Sequence, residues 1–232
     1  MKQILMAGKY PINLLDHRAA KHDFTKWEQP YLLRLMETLK PGMVVYDIGA
    51  EEGEFTALAA SAVGGRNVHI FEPAPRVWNN IREVWTNNFD VEPGGCFPGF
   101  AGDEDSEDRI IILHGFPKCA YEGITFENAF GHYLQHPHLP RITLDTYAEK
   151  FGRSPDVVMM DVEGSEIQVV RGMKRLLKER PPIVFMSMHS EERLAEYGGT
   201  TEGLLGVFAA AGYTSENYYN EWEDHWLFLP TP

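Results

Sequence analysis

The sequence predicts a doubly wound, mostly parallel α/β sheet that ends in a C-terminal antiparallel strand pair. Three observations predict it. Short apolar runs alternate with segments of helical period along most of the chain. The segments between successive strands are long enough for the crossovers that parallel pairing requires. The 232 residues, 44% of them hydrophobic, suffice for one sizeable core, which favours one α/β domain over two.

Residues 1–26 are weakly patterned and read as an N-terminal cap, with one short strand near Ile4–Met6. The domain proper is expected over residues 27–232. From Glu28 to Lys40, Leu32, Leu35, Met36 and Leu39 recur at helical spacing, and Pro41-Gly42 stops that helix. A first core strand follows from Met43, then a turn, then a small-residue helix over Gly53–Ala62. Asn67–Pro73 (NVHIFEP) is a second strand, and Pro75–Asn88 is helical, with Val77, Ile81, Val84 and Trp85 on one face. A third strand over Gly95–Ala101 is made irregular or short by Pro98 and Gly99. Asp103–Asp108 is an acidic loop and Arg109–His114 (RIIILH) a further strand.

Residues 115–140 show no period. Within a compact domain such a stretch is usually a functional loop or lid, so residues 104–140 are read as a loop insertion beside a site. Order returns at Arg141, where ITLDTYAEKFG gives a strand end and a short helix capped by Gly152. Val157–Asp161 is a buried strand, Ser165–Lys178 one helix, Pro182–His189 a strand, and Thr201–Ala211 a helix capped by Gly212. Tyr213–Tyr219 and His225–Leu229 close the chain as an antiparallel pair turned at Asn220–Glu223.

Charge and composition narrow the function classes. A formal net charge of −13 argues against non-specific nucleic-acid binding and against an anionic membrane surface, both of which reward Lys and Arg. Cys96 and Cys119 form no C-x-x-C pair and read as reduced, structural thiols of a cytoplasmic protein. No secretory signal is evident, because Lys9, Pro11, Asp16, His17 and Arg18 interrupt the first twenty residues. No apolar run is long enough to cross a bilayer. These exclusions leave room for a small-molecule partner; oligomeric state is left open.

The most informative segment is Met43–Ala60, MVVYDIGAEEGEFTALAA. It is a strand, Asp47, a turn with Gly49 and Gly53, and a helix. A dinucleotide turn, G-x-G-x-x-G, needs a middle glycine so that the backbone approaches a diphosphate at the helix N-terminus. Here Glu51 stands in that place, and with Glu52 and Glu54 it gives the turn three carboxylates that would repel a diphosphate. A cofactor without phosphate and with a positive centre fits better, and S-adenosylmethionine (SAM) is one; Asp-x-Gly-x-x-x-Gly is the spacing of its common binding turn. Glu72, some twenty positions on at the tip of the next strand, is placed to accept both ribose hydroxyls, or is an ordinary strand-end carboxylate. On this reading Asp47–Gly53, Glu72, Ala101–Asp103, Asp161–Gly164 and His189 converge on one crevice at the carboxyl ends of the strands.

From about Trp27 to Leu229 the chain resembles the FkbM-type methyltransferases, a branch of the Rossmann-like class I SAM-dependent enzymes. The resemblance rests on WEQPYLLRLMETLKPG leading into VVYDIGAEEGEFT, then IFEP, ITLDTYAEKFG, MMDVEGSEIQVVRGM and the strand ending at His189. The D-V-E-G-x-E segment at Asp161–Glu166 is its most family-specific part. The resemblance implies that Asp47, Gly49, Gly53 and Glu72 bind SAM, with Asp103 near the adenine, and that Asp161 and Glu163 face the methyl group and the acceptor. It also implies O-methylation of a hydroxyl on a sugar or other small metabolite. Three departures stand out: Met159 where members often have lysine, Ser187 where they often have glutamate, and Glu51-Glu52 in place of the usual Asn-Ile.

A hydroxyl acceptor must lose a proton, and Asp161, Glu163 and His189 are the candidate catalytic groups. Each has a structural alternative: Asp161 as a helix cap, Glu163 paired with Arg171, His189 simply ending its strand. Asp161 and Glu163 could also hold Mg²⁺ or Ca²⁺, but Ser187 thins that shell and a metal is not expected. His132, His136 and His138 recur in GHYLQHPHLP, where Pro137 and Pro140 prevent a metal-binding helix face; they read as loop residues that line the acceptor entrance with Phe130 and Tyr133. Pro181-Pro182 precedes a strand, unlike the D/N-P-P-aromatic motif of nucleic-acid amino methylases. Tyr218, Tyr219, Trp222 and Trp226 read as hairpin packing more than a stacking platform. The rival functions are a non-catalytic SAM-binding sensor or scaffold and, disfavoured by the acidic turn, a nicotinamide-dependent oxidoreductase.

Overall fold

The computed structural model describes residues 1–106, 115–117, 139–220 and 223–231. The expected strand at Arg109–His114, most of the 115–140 stretch with its three histidines, Phe130 and Tyr133, and also Cys119 and Trp222, lie outside the described residues.

The chain opens with a hairpin, β1 (Lys2–Met6) and β2 (Tyr10–Leu14), followed by the short helix α1 (Asp16–Lys21) and by α2 (Gln29–Thr38). A strict α/β alternation then begins: β3 (Val45–Ile48), α3 (Glu54–Val63), β4 (Val68–Phe71), α4 (Trp78–Thr86) and β5 (Gly95–Phe97). Two-residue strands β6 (Phe100–Ala101) and β7 (Arg141–Ile142) lead into α5 (Leu144–Phe151). β8 (Val157–Met160), α6 (Glu166–Arg171), α7 (Lys174–Glu179), β9 (Ile183–Met188), α8 (Glu191–Glu196) and α9 (Thr201–Ala210) follow, then the long hairpin of β10 (Tyr213–Asn220) and β11 (Asp224–Pro230).

The main sheet has the order β10-β11-β9-β8-β3-β4-β5. β9, β8, β3, β4 and β5 run parallel, while β11 is antiparallel to β9 and to β10. Side chains alternate across it with the period of two that a strand imposes. Val45, Val68, Ile70, Val157, Met159 and Phe185 face one core with α2, α3, α4 and the N-terminal hairpin. Tyr46, Ile48, Phe71, Val158, Met160 and Val184 face the other with α5, α6, α7 and α9. From β3 the chain progresses outward to β4 and β5, then returns to place β8 on the other side of β3. That reversal makes the β3/β8 junction the topological switch point, where sheets of this kind open a crevice beyond the carboxyl ends of their strands.

Three sequence expectations change. The weakly patterned N-terminus is a full hairpin plus helix, with the chain reversing through Ala7 and Gly8, both at positive φ. Gly95–Ala101 divides between two sheets, because Pro98-Gly99 turns the chain against Pro140; a Cβ on Gly99 would lie 2.2 Å from the Pro140 carbonyl oxygen. The single helix over Ser165–Lys178 is two, α6 and α7. The break falls at Gly172, where a Cβ would stand 1.9 Å from the carbonyl oxygen of Gly102. Asp145 of α5 then accepts hydrogen bonds from the Arg175 and Leu176 amides at 2.8 and 2.9 Å, capping α7 from a neighbouring helix. Among the described residues no helix is long and apolar enough to cross a membrane.

Candidate functional site

The turn after β3 is built on two glycines at φ +88°, the left-handed region that glycine enters without a Cβ penalty. Gly49 brings the turn against the end of β8, where a Cβ would come within 1.8 Å of the Asp161 carbonyl oxygen. Gly53 starts α3 with its Cα facing Ile81, 3.3 Å from where a Cβ would be. The amides of Gly49 and Ala50 both donate to the Phe71 carbonyl, at 2.9 and 3.2 Å, so the turn leans on the end of β4 as well.

Two buried carboxylates hold this end of the crevice. Asp47 accepts a hydrogen bond from Thr56 of α3; burial pushes its carboxyl up to about 6, against that bond. Glu72, 6% exposed, accepts from the amides of Ala74 and Glu51 at 2.7 and 3.0 Å. Burial dominates over both bonds and pushes it up to about 7. The Trp78 indole anchors the same strand end by donating to the Glu72 carbonyl at 3.0 Å.

The three carboxylates of the turn are not a free acidic mouth. Arg18, on α1, donates to both oxygens of Glu51 at 2.9 and 2.8 Å and pairs with Glu54. His17 meets Glu52 at 2.7 Å. Arg18 and Glu54 are each only 3% exposed, so the N-terminal segment carries a buried counter-charge into the turn. This corrects the sequence argument, which counted these carboxylates as unopposed repulsion toward an anionic ligand.

Beyond the turn lies a cavity of about 660 Å³, within the range that encloses small-molecule ligands. Asp47, Gly49 and Glu72 line one part of it, and Asp161, Glu163 and Glu223 another. Trp27, Tyr31 and Phe55 contribute an aromatic wall, Trp27 stacked on His22 with ring centroids 4.6 Å apart. Three of the four non-glycine residues at positive φ among the described residues, Glu28, Glu51 and Glu163, line this one cavity. Held backbone strain of that kind concentrates at ligand sites.

At the far end, His189 is surrounded by carboxylates. Its Nδ1 pairs with the fully buried Glu166 at 2.7 Å. Its Nε2 lies 3.3 Å from Glu223, 3.5 Å from Glu163 and 3.9 Å from Asp161. Burial opposes the imidazolium, but the Glu166 bond and the charges of Glu223, Glu166 and Asp161 outweigh it and raise His189 to about 9. The Asp161 carboxylate opens onto the cavity on one side. Loss of hydration on the others, with Glu223 adding to it, raises Asp161 well above the usual carboxylate range, although His189 pulls the other way.

The structure therefore gathers Asp47, Gly49, Gly53 and Glu72 around one turn, and Asp161 and Glu163 around the imidazole of His189. It does not bring Asp103 to them: that residue is exposed beyond β6, outside the cavity lining, because β6 belongs to a separate two-stranded sheet. Glu163 faces Arg193 at 3.7 Å, while Arg171 donates to the Gly198 carbonyl. Ser187 meets His225 at 3.2 Å. Sequence reasoning missed Arg18 and Glu223 among others. Glu223 is brought in by strand pairing: β11 pairs antiparallel with β9, Asp224 opposite Met188, which sets the preceding residue of one strand beside the following residue of the other.

Similarity to known proteins agrees with this architecture. The chain is 28% identical over 159 residues to the hexuronic acid methyltransferase AglP of Haloferax volcanii, covering 65% of this chain and 58% of that protein. Its fold is similar to a crystal structure of methyltransferase FkbM from Methylobacillus flagellatus KT, with a TM-score of 0.54 and 15% identity over 93% of this chain and 56% of that one. The chain thus spans a little over half the length of each. The methyltransferase FkbM domain matches residues 47–215, from the aspartate of the glycine turn through the first residues of the terminal hairpin, and the chain belongs to that family.

Proposed function

We propose that this protein transfers a methyl group from SAM to an oxygen of a small acceptor, a sugar or sugar acid being the favoured class. The observation that carries the reading is the single cavity with a glycine turn and a buried carboxylate at one end and a cluster of proton-handling groups at the other. The close approach at Gly49 and the inward carboxylate of Glu72 fit an adenosyl cofactor. SAM supplies an activated methyl group on a sulfonium, which passes to a nucleophile in an in-line displacement.

The chain's own residues then have defined tasks. Glu72 accepts the ribose hydroxyls and Asp47 holds the turn that positions the cofactor. Trp27, Tyr31 and Phe55 exclude water, so much of the rate comes from alignment in a dry site. Asp161, with a raised carboxyl pKa, takes the acceptor's proton better than an ordinary aspartate would. His189, held protonated up to about 9, orients the surrounding carboxylates. The likeness to a hexuronic acid methyltransferase supports a sugar-acid acceptor.

Calorimetric titration with SAM, S-adenosylhomocysteine and NAD⁺ tests the cofactor, and labelled SAM with a panel of uronic acids and neutral sugars tests the acceptor. Binding of both sulfur compounds but not NAD⁺, with Asp161→Asn keeping SAM affinity and losing turnover, is the expected result. SAM affinity without turnover on any acceptor, unchanged by Asp161→Asn, would favour a SAM-binding sensor instead.

A further inference from the structure

The geometry points to a divalent cation site formed by Asp161, His189 and Glu223, at the acceptor end of the cavity. The ligand atoms of these three residues all lie within 4.8 Å of one another. Groups each about 2.1 Å from a metal stand roughly 3 to 4 Å apart across the edges of its shell, and His189 Nε2 is 3.3 Å from Glu223 and 3.9 Å from Asp161. Glu163, 3.5 Å from the same nitrogen, is available as a further oxygen donor. Ser187 had left the shell short by one carboxylate in the sequence; Glu223 supplies one from the turn of the terminal hairpin.

A cluster of acids alone would not make a site, and a second observation does. The His189 side chain is 8% exposed, and its Nε2 has no hydrogen-bond partner among the described residues although three carboxylates surround it. Its other nitrogen is fixed by Glu166, itself fully buried and accepting from the Gly164 amide at 3.2 Å. That is the carboxylate–histidine arrangement that fixes the tautomer of a metal-ligating imidazole and leaves the other lone pair facing the ion. A divalent ion and an imidazolium proton are alternatives for that lone pair, so cation binding releases the proton.

One imidazole with two or three carboxylates is a mixed nitrogen and oxygen shell. It suits Mn²⁺ and related divalent ions better than the all-oxygen preference of Ca²⁺ or the thiolate preference of Cu(I). Asp161, Glu163 and Glu223 line the cavity, so the remaining positions of a bound ion would be reached from it. On the reading above, from which this inference takes its purpose, they would receive two oxygens of the acceptor, a vicinal diol or a hydroxyl beside a carboxylate. That would select chelating sugars and orient the oxygen to be methylated, and the ion, by acidifying that hydroxyl, would take over the part that Asp161 plays as base in its absence.

The test uses Mn²⁺ itself, titrated into chelator-treated protein and followed by the electron paramagnetic resonance signal of the free ion. One saturable site per chain is expected, weakened more than tenfold in Glu223→Gln and in Asp161→Asn and about 10- to 100-fold in Glu166→Gln. Each variant's fold is checked by circular dichroism. In the unaltered protein, Mn²⁺ should broaden the His189 imidazole resonances selectively, a readout that needs no variant. Absence of saturable binding, or equal binding by the parent and the first two variants as an acidic surface would give, overturns the site. SAM titration of the same samples reports separately: Mn²⁺ binding as expected with no SAM binding would overturn the methyl-transfer reading and leave the cation site standing.

Discussion

The α-carbon of Gly49 packs so tightly under the carbonyl of Asp161 that a methyl group there would lie 1.8 Å from the oxygen. The glycine turn and the candidate base are thereby locked together across the switch point of the sheet. Gly49→Ala must open that junction and also hold alanine at φ +88°. Gly42→Ala is the matched control, with the same φ and nothing within 4 Å. It should cost about 1 to 2 kcal/mol, the left-handed penalty alone. Gly49→Ala should cost more than that and abolish SAM binding. Urea unfolding and calorimetry of the pair of variants measure both effects; equal destabilisation would show that the junction yields freely.

Removing Arg18 leaves Glu54 buried without its partner. Breaking a buried ion pair from one side costs about 3 to 5 kcal/mol, whereas replacing both partners with apolar side chains of similar volume is often neutral or better. Arg18→Met should therefore be strongly destabilising, and Arg18→Met with Glu54→Met should recover most of the loss. The coupling energy from a double-mutant cycle in chemical denaturation checks it.

Asp47 and Glu72 are raised to about 6 and about 7 by burial, above their unfolded values. Groups of this sign stabilise the fold when protonated, so their contribution is present below the unfolded values and lost as pH rises through about 6 and about 7. In the free protein, Glu72→Gln should gain melting temperature relative to the parent as pH is raised from 5 to 8. If Glu72 accepts ribose hydroxyls as a carboxylate, SAM affinity should rise with pH and level off above about 7. The variant should lose that upper step. A thermal-shift series over pH, paired with calorimetry, reads both.

Asp145→Ala removes the cap that α5 lends to α7. Loss of such a cap costs about 0.5 to 2 kcal/mol, with no change expected in SAM affinity, because neither Asp145 nor α7 lines the cavity. Denaturant midpoints of the variant decide the first point and titration the second.

The legible part of the fold is the part that local pattern dictates. β3 is a short run that carries Asp47 just before its last residue, β4, β8 and β9 are short apolar runs followed by Glu72, Asp161 and His189, and helical period gives α2, α4 and α9 to within a few residues. What period alone could not show is how distant backbone contacts intervene. The Ile167, Val170, Met173 and Leu177 spacing reads as one helix; Gly172 breaks it only because Gly102 presses against it. The N-terminal hairpin was obscured because much of β1 faces solvent on both sides and gives little alternation. In the site, the glycine turn is readable from spacing. Arg18 and Glu223 are not, since each acts on residues more than thirty positions away that only the folded chain brings near.

The pairing of Arg18 with the turn also bears on how such a chain can vary. An acidic pair at positions 51 and 52 is tolerable here because a basic helix arrives from outside the glycine turn to receive it. The arginine, in turn, has no reason to be buried once those acids are gone. Residues 17, 18, 51, 52 and 54 thus form one electrostatic unit. Relatives with a neutral turn should be free to lose or remodel the N-terminal hairpin, while those with the acidic turn should keep both together.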